Sequence, residues 1–86
     1  LDVGVFNGLM ESIGGISYPF LVEREAPVRR WVVAGPSCDS MDVICEEAPL
    51  PEPEVGDKVY IPAAGAYTTA YASRFNGLPI PRVYFY

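Results

Sequence analysis

Short apolar runs with a period of two or a β-branched character recur along the chain, and turn residues separate almost all of them. Leu1, Val3 and Val5 alternate with smaller or polar residues across Leu1–Phe6, the pattern of a half-buried strand. Ser17–Val22 is apolar and aromatic, and Pro19 confines it to a sheet edge or a bulge. Arg30–Ala34 is a β-branched run stopped by Gly35-Pro36. Asp57–Ile61 follows the turn at Gly56 and ends at Pro62, and Pro81–Tyr86 closes the chain with strong β formers. Asn7-Gly8, Gly14-Gly15, Asn76-Gly77 and nine prolines supply the turns. The pattern predicts a mainly β domain, an antiparallel sandwich or open barrel, with one or two short helices. Those helices fall at Ser40–Cys45, where Ser40 is the N-cap, and at Ala66–Ser73, after Gly65. The acidic, proline-rich stretch Glu46–Glu54 reads as an extended, solvated connector.

Composition narrows this picture without overturning it. The chain has 86 residues, enough for one small domain near the lower limit of a self-sufficient core. Half of the residues are apolar and 13% aromatic, which argues for a packed core rather than disorder. A net charge of −5 disfavours nucleic acid, whose phosphates need clustered Lys and Arg. Apolar runs all fall short of the roughly 20 residues that cross a bilayer, so no membrane partner is expected. Cys38 and Cys45 are too few for a secreted disulfide framework, although a bridge between them is conceivable. Leu1-Asp2-Val3-Gly4 has neither an initiator Met nor a signal-peptide pattern. It reads as the middle of a strand, so the chain is expected to be a fragment, a processed piece or one part of a divided polypeptide.

Three constellations carry candidate chemistry. Cys38-Asp39 follows the sharp exit at Gly35-Pro36, on a loop at a strand end where sites are commonly built. A thiol with a reference pKa of about 8.5 is largely protonated at neutral pH and can deliver a proton, and a neighbouring carboxylate favours acid over nucleophile. Asp39 suits an ammonium group. By residue type alone, Cys38 also reads as a small buried hydrophobe and Asp39 as a turn cap. Gly65-Ala66-Tyr67-Thr68 sets a neutral phenol donor at the start of a helix, which suits a phosphate, or else a buried core tyrosine. Phe75 sits beside the Asn76-Gly77 turn, lining the apolar part of a pocket or packing in the core. With no histidine and scattered carboxylates there is no metal-site spacing and no Ser-His arrangement.

Taken in order, Asp2–Leu9, Ala34–Ser40, Val55-Gly56-Asp57, Gly65–Thr68 and Phe75–Gly77 resemble the ornithine/diaminopimelate/arginine decarboxylase family, with its alanine-racemase-like fold. The resemblance covers essentially the whole chain. It implies that residues 1–86 are most of the C-terminal β-domain of a pyridoxal-phosphate-dependent decarboxylase, and that the α/β barrel which carries the cofactor on a lysine is absent from this chain. Cys38 matches the cysteine that reprotonates the carbanion after decarboxylation. Asp39 matches the acid that receives the distal amino group of the substrate across a head-to-tail dimer interface. Tyr67 matches the tyrosine that contacts the cofactor phosphate, and Phe75 an aromatic near the substrate chain.

The same resemblance implies a cytoplasmic homodimer acting on a small diamino acid, with a barrel polypeptide as partner. Diaminopimelate decarboxylases usually show Cys-Glu-Ser in this loop; Cys38-Asp39-Ser40 looks like the enzymes of ornithine or lysine. Phe6 stands where animal-type members have Tyr, and no role is carried over to it. Lys58, the one lysine, sits in a turn-to-strand context and reads as a surface residue rather than a Schiff-base lysine. Two rivals remain: a non-catalytic homologue that binds partner subunits or a regulator, and an independent small β-domain with its own ligand.

Overall fold

The computed structural model describes Leu1–Phe85. Its regular elements are β1 (Leu21–Val22), β2 (Val28–Ala34), β3 (Val43–Pro51), β4 (Val59–Tyr60) and one helical turn, α1 (Thr68–Tyr71), with 3-10 turns at Val5–Asn7, Met10–Ser12 and Phe75–Gly77. Both ladders are antiparallel, β1 with β4 and β2 with β3. The mainly β, antiparallel class with short helices is therefore the observed one, assembled as two two-stranded ladders.

The β2–β3 ribbon supplies most of the core. Trp31 and Val33 turn inward from β2, while Val28 and Val32 stay exposed. Ile44, Ala48 and Leu50 turn inward from β3. From Trp31↔Ala48 to Val33↔Cys45 the register advances two residues on β2 and three on β3. That bulge leaves Glu46 and Glu47 both exposed without losing the inward phase of Ala48 and Leu50. Val5, Leu9, Val33, Ile44, Ala48 and Leu50 form the buried cluster, and Phe20, Trp31 and Ile61 pack around it. Each of the buried Val, Leu and Ile side chains contributes about 1.5–3 kcal/mol on full burial, and the Ala48 methyl less. The β1–β4 ladder is clamped by Arg24, whose Nε and Nη2 reach Asp57 at 2.7 and 2.8 Å, with Glu54 3.3 Å away.

Several sequence expectations need correction. The connector at Glu46–Glu54 is β3 as far as Pro51. Its prolines are tolerated because each strand of a two-stranded ribbon has a free edge, and they masked the alternation of Ala48 and Leu50. The helix expected at Ser40–Cys45 is a turn followed by that strand. Leu1–Phe6 is no strand: Gly4 opens the 3-10 turn Val5–Asn7, because the Val5 N–H is drawn onto the buried Asp42 carboxylate instead of into a ladder. The Ser17–Val22 strand shrinks to Leu21–Val22, and the helix at Ala66–Ser73 to Thr68–Tyr71. Residues 81–85 form no strand, and the remainder of the expected closing strand, Tyr86, lies outside the described residues. Cys38 and Cys45 are both free thiols.

Candidate active site

After β2, Gly35-Pro36 turns the chain and the loop closes on itself within a few residues. The Gly35 N–H donates to the Asp42 carbonyl at 2.9 Å, and the Asp42 N–H to the Asp39 carbonyl at 3.0 Å. The centre of the loop is the Asp42 carboxylate, 2% exposed. Oδ1 accepts the Val5 N–H at 2.7 Å; Oδ2 accepts the Ser37 N–H at 3.1 Å and the Ser37 hydroxyl at 2.5 Å. Burial by itself pushes the Asp42 carboxyl up, but the Ser37 hydroxyl and the Val5 and Ser37 N–H groups outweigh it and hold the group below the usual carboxylate range. Gly4 and Gly35 close over this carboxylate, and a Cβ on either would collide with it.

Cys38 and Asp39 project from that base. Cys38 is exposed, not the buried small hydrophobe its type allows, and its φ is 62°, in the left-handed region that residues with a Cβ seldom occupy. Asp39 is half-buried. Its N–H donates to Ser37 Oγ at 3.3 Å, and its Oδ1 caps the Met41 N–H at 2.8 Å. The turn-cap role is thus real but occupies one carboxylate oxygen, which leaves Oδ2 for a cation.

Phe75 joins this loop through its neighbour. Asn76, itself at φ 58°, donates Nδ2–H to the Ser37 carbonyl. The Phe75 ring lies on Phe6, centroids 4.3 Å apart, and stays 37% exposed. Ser73 secures the same corner, donating its N–H and Oγ–H to the Phe6 carbonyl at 3.0 and 2.7 Å. Tyr67 stands farther along. It is 63% exposed, at φ 64°, with its ring 6.0 Å from Tyr71. It reaches the group by way of Gly8, where a Cβ would collide with the Thr68 carbonyl.

The segment Gly4–Gly8 is therefore the common floor, touching Asp42, Phe75, Ser73 and Thr68 in turn. Sequence reasoning missed its part, and missed Ser37, Asp42 and Asn76. The usable signal was the pair Gly4 and Gly35, small residues on two segments that must approach one another.

Cys38, Tyr67 and Phe75 are exposed and Asp39 is half-buried, so their face lies open to water. A cavity of about 740 Å³ lies elsewhere, lined by Leu1–Val3 and Val55–Ile61, and Lys58 belongs to it. No cluster of His, Cys, Asp and Glu suited to a metal ion occurs among the described residues. Nor is any described helix long and apolar enough to cross a membrane.

A family model described as the C-terminal sheet domain of pyridoxal-dependent decarboxylases matches residues 1–65. The chain belongs to that family. It is similar to the ornithine decarboxylase of Rattus norvegicus, 49% identical over 85 residues, covering 95% of this chain and 18% of the relative. It is also similar to two crystal structures. Lysine decarboxylase from Selenomonas ruminantium matches at 32% identity and a TM-score of 0.85, over 93% of this chain and 22% of that one. Lysine/ornithine decarboxylase from Vibrio vulnificus, complexed with cadaverine, matches at 34% and 0.83, over 92% and 22%. The chain thus spans about a fifth of the length of these relatives.

The residues present fit part of a pyridoxal-phosphate site. Tyr67 offers an exposed phenol O–H for a phosphate oxygen, whereas Lys58 lines the other cavity with Asp2 and Val3 and meets none of the candidate residues there.

Proposed function

We propose that this chain is the C-terminal β-domain of a pyridoxal-phosphate-dependent decarboxylase that converts ornithine or lysine to its diamine and CO₂. A barrel polypeptide bearing the Schiff-base lysine completes the site, in a head-to-tail homodimer. One observation carries the reading. Cys38 and Asp39 extend from a loop whose anchors, Ser37 and Asp42, are 3% and 2% exposed, so a thiol and a carboxylate stand outside a buried, hydrogen-bonded base on an open face. An open face cannot exclude water, and a covering partner can.

When bound, pyridoxal phosphate supplies the electron sink that lets the substrate carboxylate depart as CO₂. The work of this chain is binding and proton delivery. Tyr67 donates its phenol O–H to a phosphate oxygen. Asp39 accepts the distal ammonium on Oδ2, a charge-assisted contact worth about 1.5–3 kcal/mol. Phe75 covers the methylenes between the two ends of the substrate. Cys38 gives its S–H proton to the carbon that has lost CO₂, and recovers a proton from water. Asp39 in place of Glu, together with the ornithine decarboxylase relatives, favours ornithine or lysine over diaminopimelate.

The test is to combine the chain with the barrel polypeptide and measure diamine and CO₂ release. Asp39→Ala should lower kcat/KM for diamino acids by roughly ten- to a hundredfold, the factor for one charge-assisted hydrogen bond. Activity from the isolated chain would sink the division of labour. A reassembled complex that never turns over, yet binds its partner equally well with Asp39→Ala, would leave a partner-binding regulator instead.

A further inference from the structure

Cys38 has a backbone conformation that its own residue type disfavours, and both of the peptide groups flanking it are held. The preceding one is the Ser37 carbonyl, which accepts the Asn76 carboxamide. The following one is the Asp39 N–H, which donates to Ser37 Oγ. Fixing both peptide planes fixes φ and ψ of the residue between them, here with φ at 62°. Such a conformation persists only where its surroundings over-determine it.

We infer that Ser37 is the positioning residue of the site, held between the Asp42 carboxylate and the Asn76 carboxamide, and that it sets the direction in which Cys38 presents its thiol. Every polar atom of Ser37 is engaged: N and Oγ donate to Asp42 Oδ2, Oγ also accepts from Asp39, and O accepts from Asn76. The residue is 3% exposed and its two bonds to Asp42 are buried, so those two do not compete freely with water. Asp42 does not yield, because its other oxygen holds Val5 and because Gly4 and Gly35 close over it. On the far side Asn76 carries Phe75, stacked on Phe6. One serine therefore couples the proton-donor loop to the aromatic that would cover the substrate. The catalytic meaning of this rests on the decarboxylase reading; the geometric claim does not.

Two readouts separate the claims. In the full chain, the rate of Cys38 alkylation by iodoacetamide is followed against pH by peptide mass mapping, with Cys45 as internal reference. Ser37→Ala removes the charge-assisted bond to Asp42 together with the tie from the Asp39 N–H, and should change the Cys38 rate relative to Cys45 by at least about fivefold, the factor for the neutral Asp39 tie alone. Ser37→Thr, which keeps the hydroxyl, should restore it. Asn76→Ala, which removes the tie from the exposed side and spares the buried carboxylate, should shift it in the same direction even if Ser37→Ala fails to fold.

In the complex with the barrel polypeptide, Ser37→Ala should lower kcat tenfold or more with little change in KM, toward the roughly 100-fold that a 1 Å misplacement costs. Unchanged Cys38 reactivity in every variant that folds, or a Ser37→Thr that behaves as Ser37→Ala does, overturns the inference. A complex that is inactive with the native chain, while the alkylation results hold, overturns the decarboxylase reading and leaves the positioning claim standing.

Discussion

Replacing Asp42 by Asn changes a single atom in the most buried polar group of the loop and leaves its shape intact. The carboxylate accepts three hydrogen bonds, from the Val5 N–H, the Ser37 N–H and the Ser37 hydroxyl, divided over its two oxygens. An asparagine has one acceptor oxygen. If that oxygen replaces Oδ2, the amide NH₂ confronts the Val5 N–H; if it replaces Oδ1, it confronts the Ser37 N–H. Either way a buried backbone donor loses its partner, at about 1–3 kcal/mol, and the surviving bonds lose their charge assistance. The expected loss is roughly 2–4 kcal/mol, out of a total that scales to about 4–13 kcal/mol for a domain of this length. At a urea m value of about 1 kcal/mol/M, the unfolding midpoint should fall by about 2 M or more.

Acid titration adds a signed check. Asp42 is held below its ordinary value, so its contribution is complete above the unfolded pKa of about 3.9 and disappears as pH falls through the folded value. The Asn variant should show a shallower loss of stability in that window. Asp57, held at about 2 chiefly by its hydrogen bond from Arg24, loses its contribution in the same window, so Asp57→Asn is the control. A midpoint within about 0.3 M of the parent, together with an unaltered acid limb, would refute the argument that this carboxylate anchors the loop.

Four further outcomes are expected. A double-mutant cycle of Phe6→Ala and Phe75→Ala in urea unfolding should give a coupling of about 0.5–1.5 kcal/mol, since the rings lie 4.3 Å apart; zero coupling would deny that the stack exists in solution. Arg24→Ala should raise the Asp57 carboxyl from about 2 toward its unperturbed value near 3.9, read by carbon NMR titration. Trp31 Nε1 is buried without a hydrogen-bond partner among the described residues, so Trp31→Phe should cost little or even stabilise; a loss above about 2 kcal/mol would mean that the indole N–H has a partner after all. Gly35→Ala drives a methyl group into the Asp42 carboxylate and the Gly4 backbone, and should cost about 1–3 kcal/mol or prevent folding.

Local chemistry made part of this legible from the residues. The β-branched run ending at Gly35-Pro36 is β2, and Asn76-Gly77 is a turn, because both depend on the conformational preferences of the residues themselves. Candidates for the site could also be proposed, since Cys38, Asp39, Tyr67 and Phe75 lie in an ordered set of motifs. Where periodicity failed, a distant partner had intervened. Leu1, Val3 and Val5 alternate as a strand should, yet the Val5 N–H goes to a carboxylate 37 positions away and the segment becomes a 3-10 turn. The acidic, proline-rich stretch looked solvated, yet Arg29 and Arg30 lie across from Leu50 and Pro49, and the ribbon buries Ala48 and Leu50.

Which residues are candidates for the site follows from their types and order, because a thiol, a carboxylate and a phenol bring their chemistry with them. How those groups are held is a tertiary matter. Ser37, Asp42 and Asn76 are ordinary turn residues until folding sets Val5 against Asp42 and Asn76 against the Ser37 carbonyl, 39 positions apart. Hydrogen bonds between segments so distant in sequence leave no periodicity behind. Their one trace is steric: Gly4 and Gly35 are glycines because the chain closes over a buried carboxylate at both.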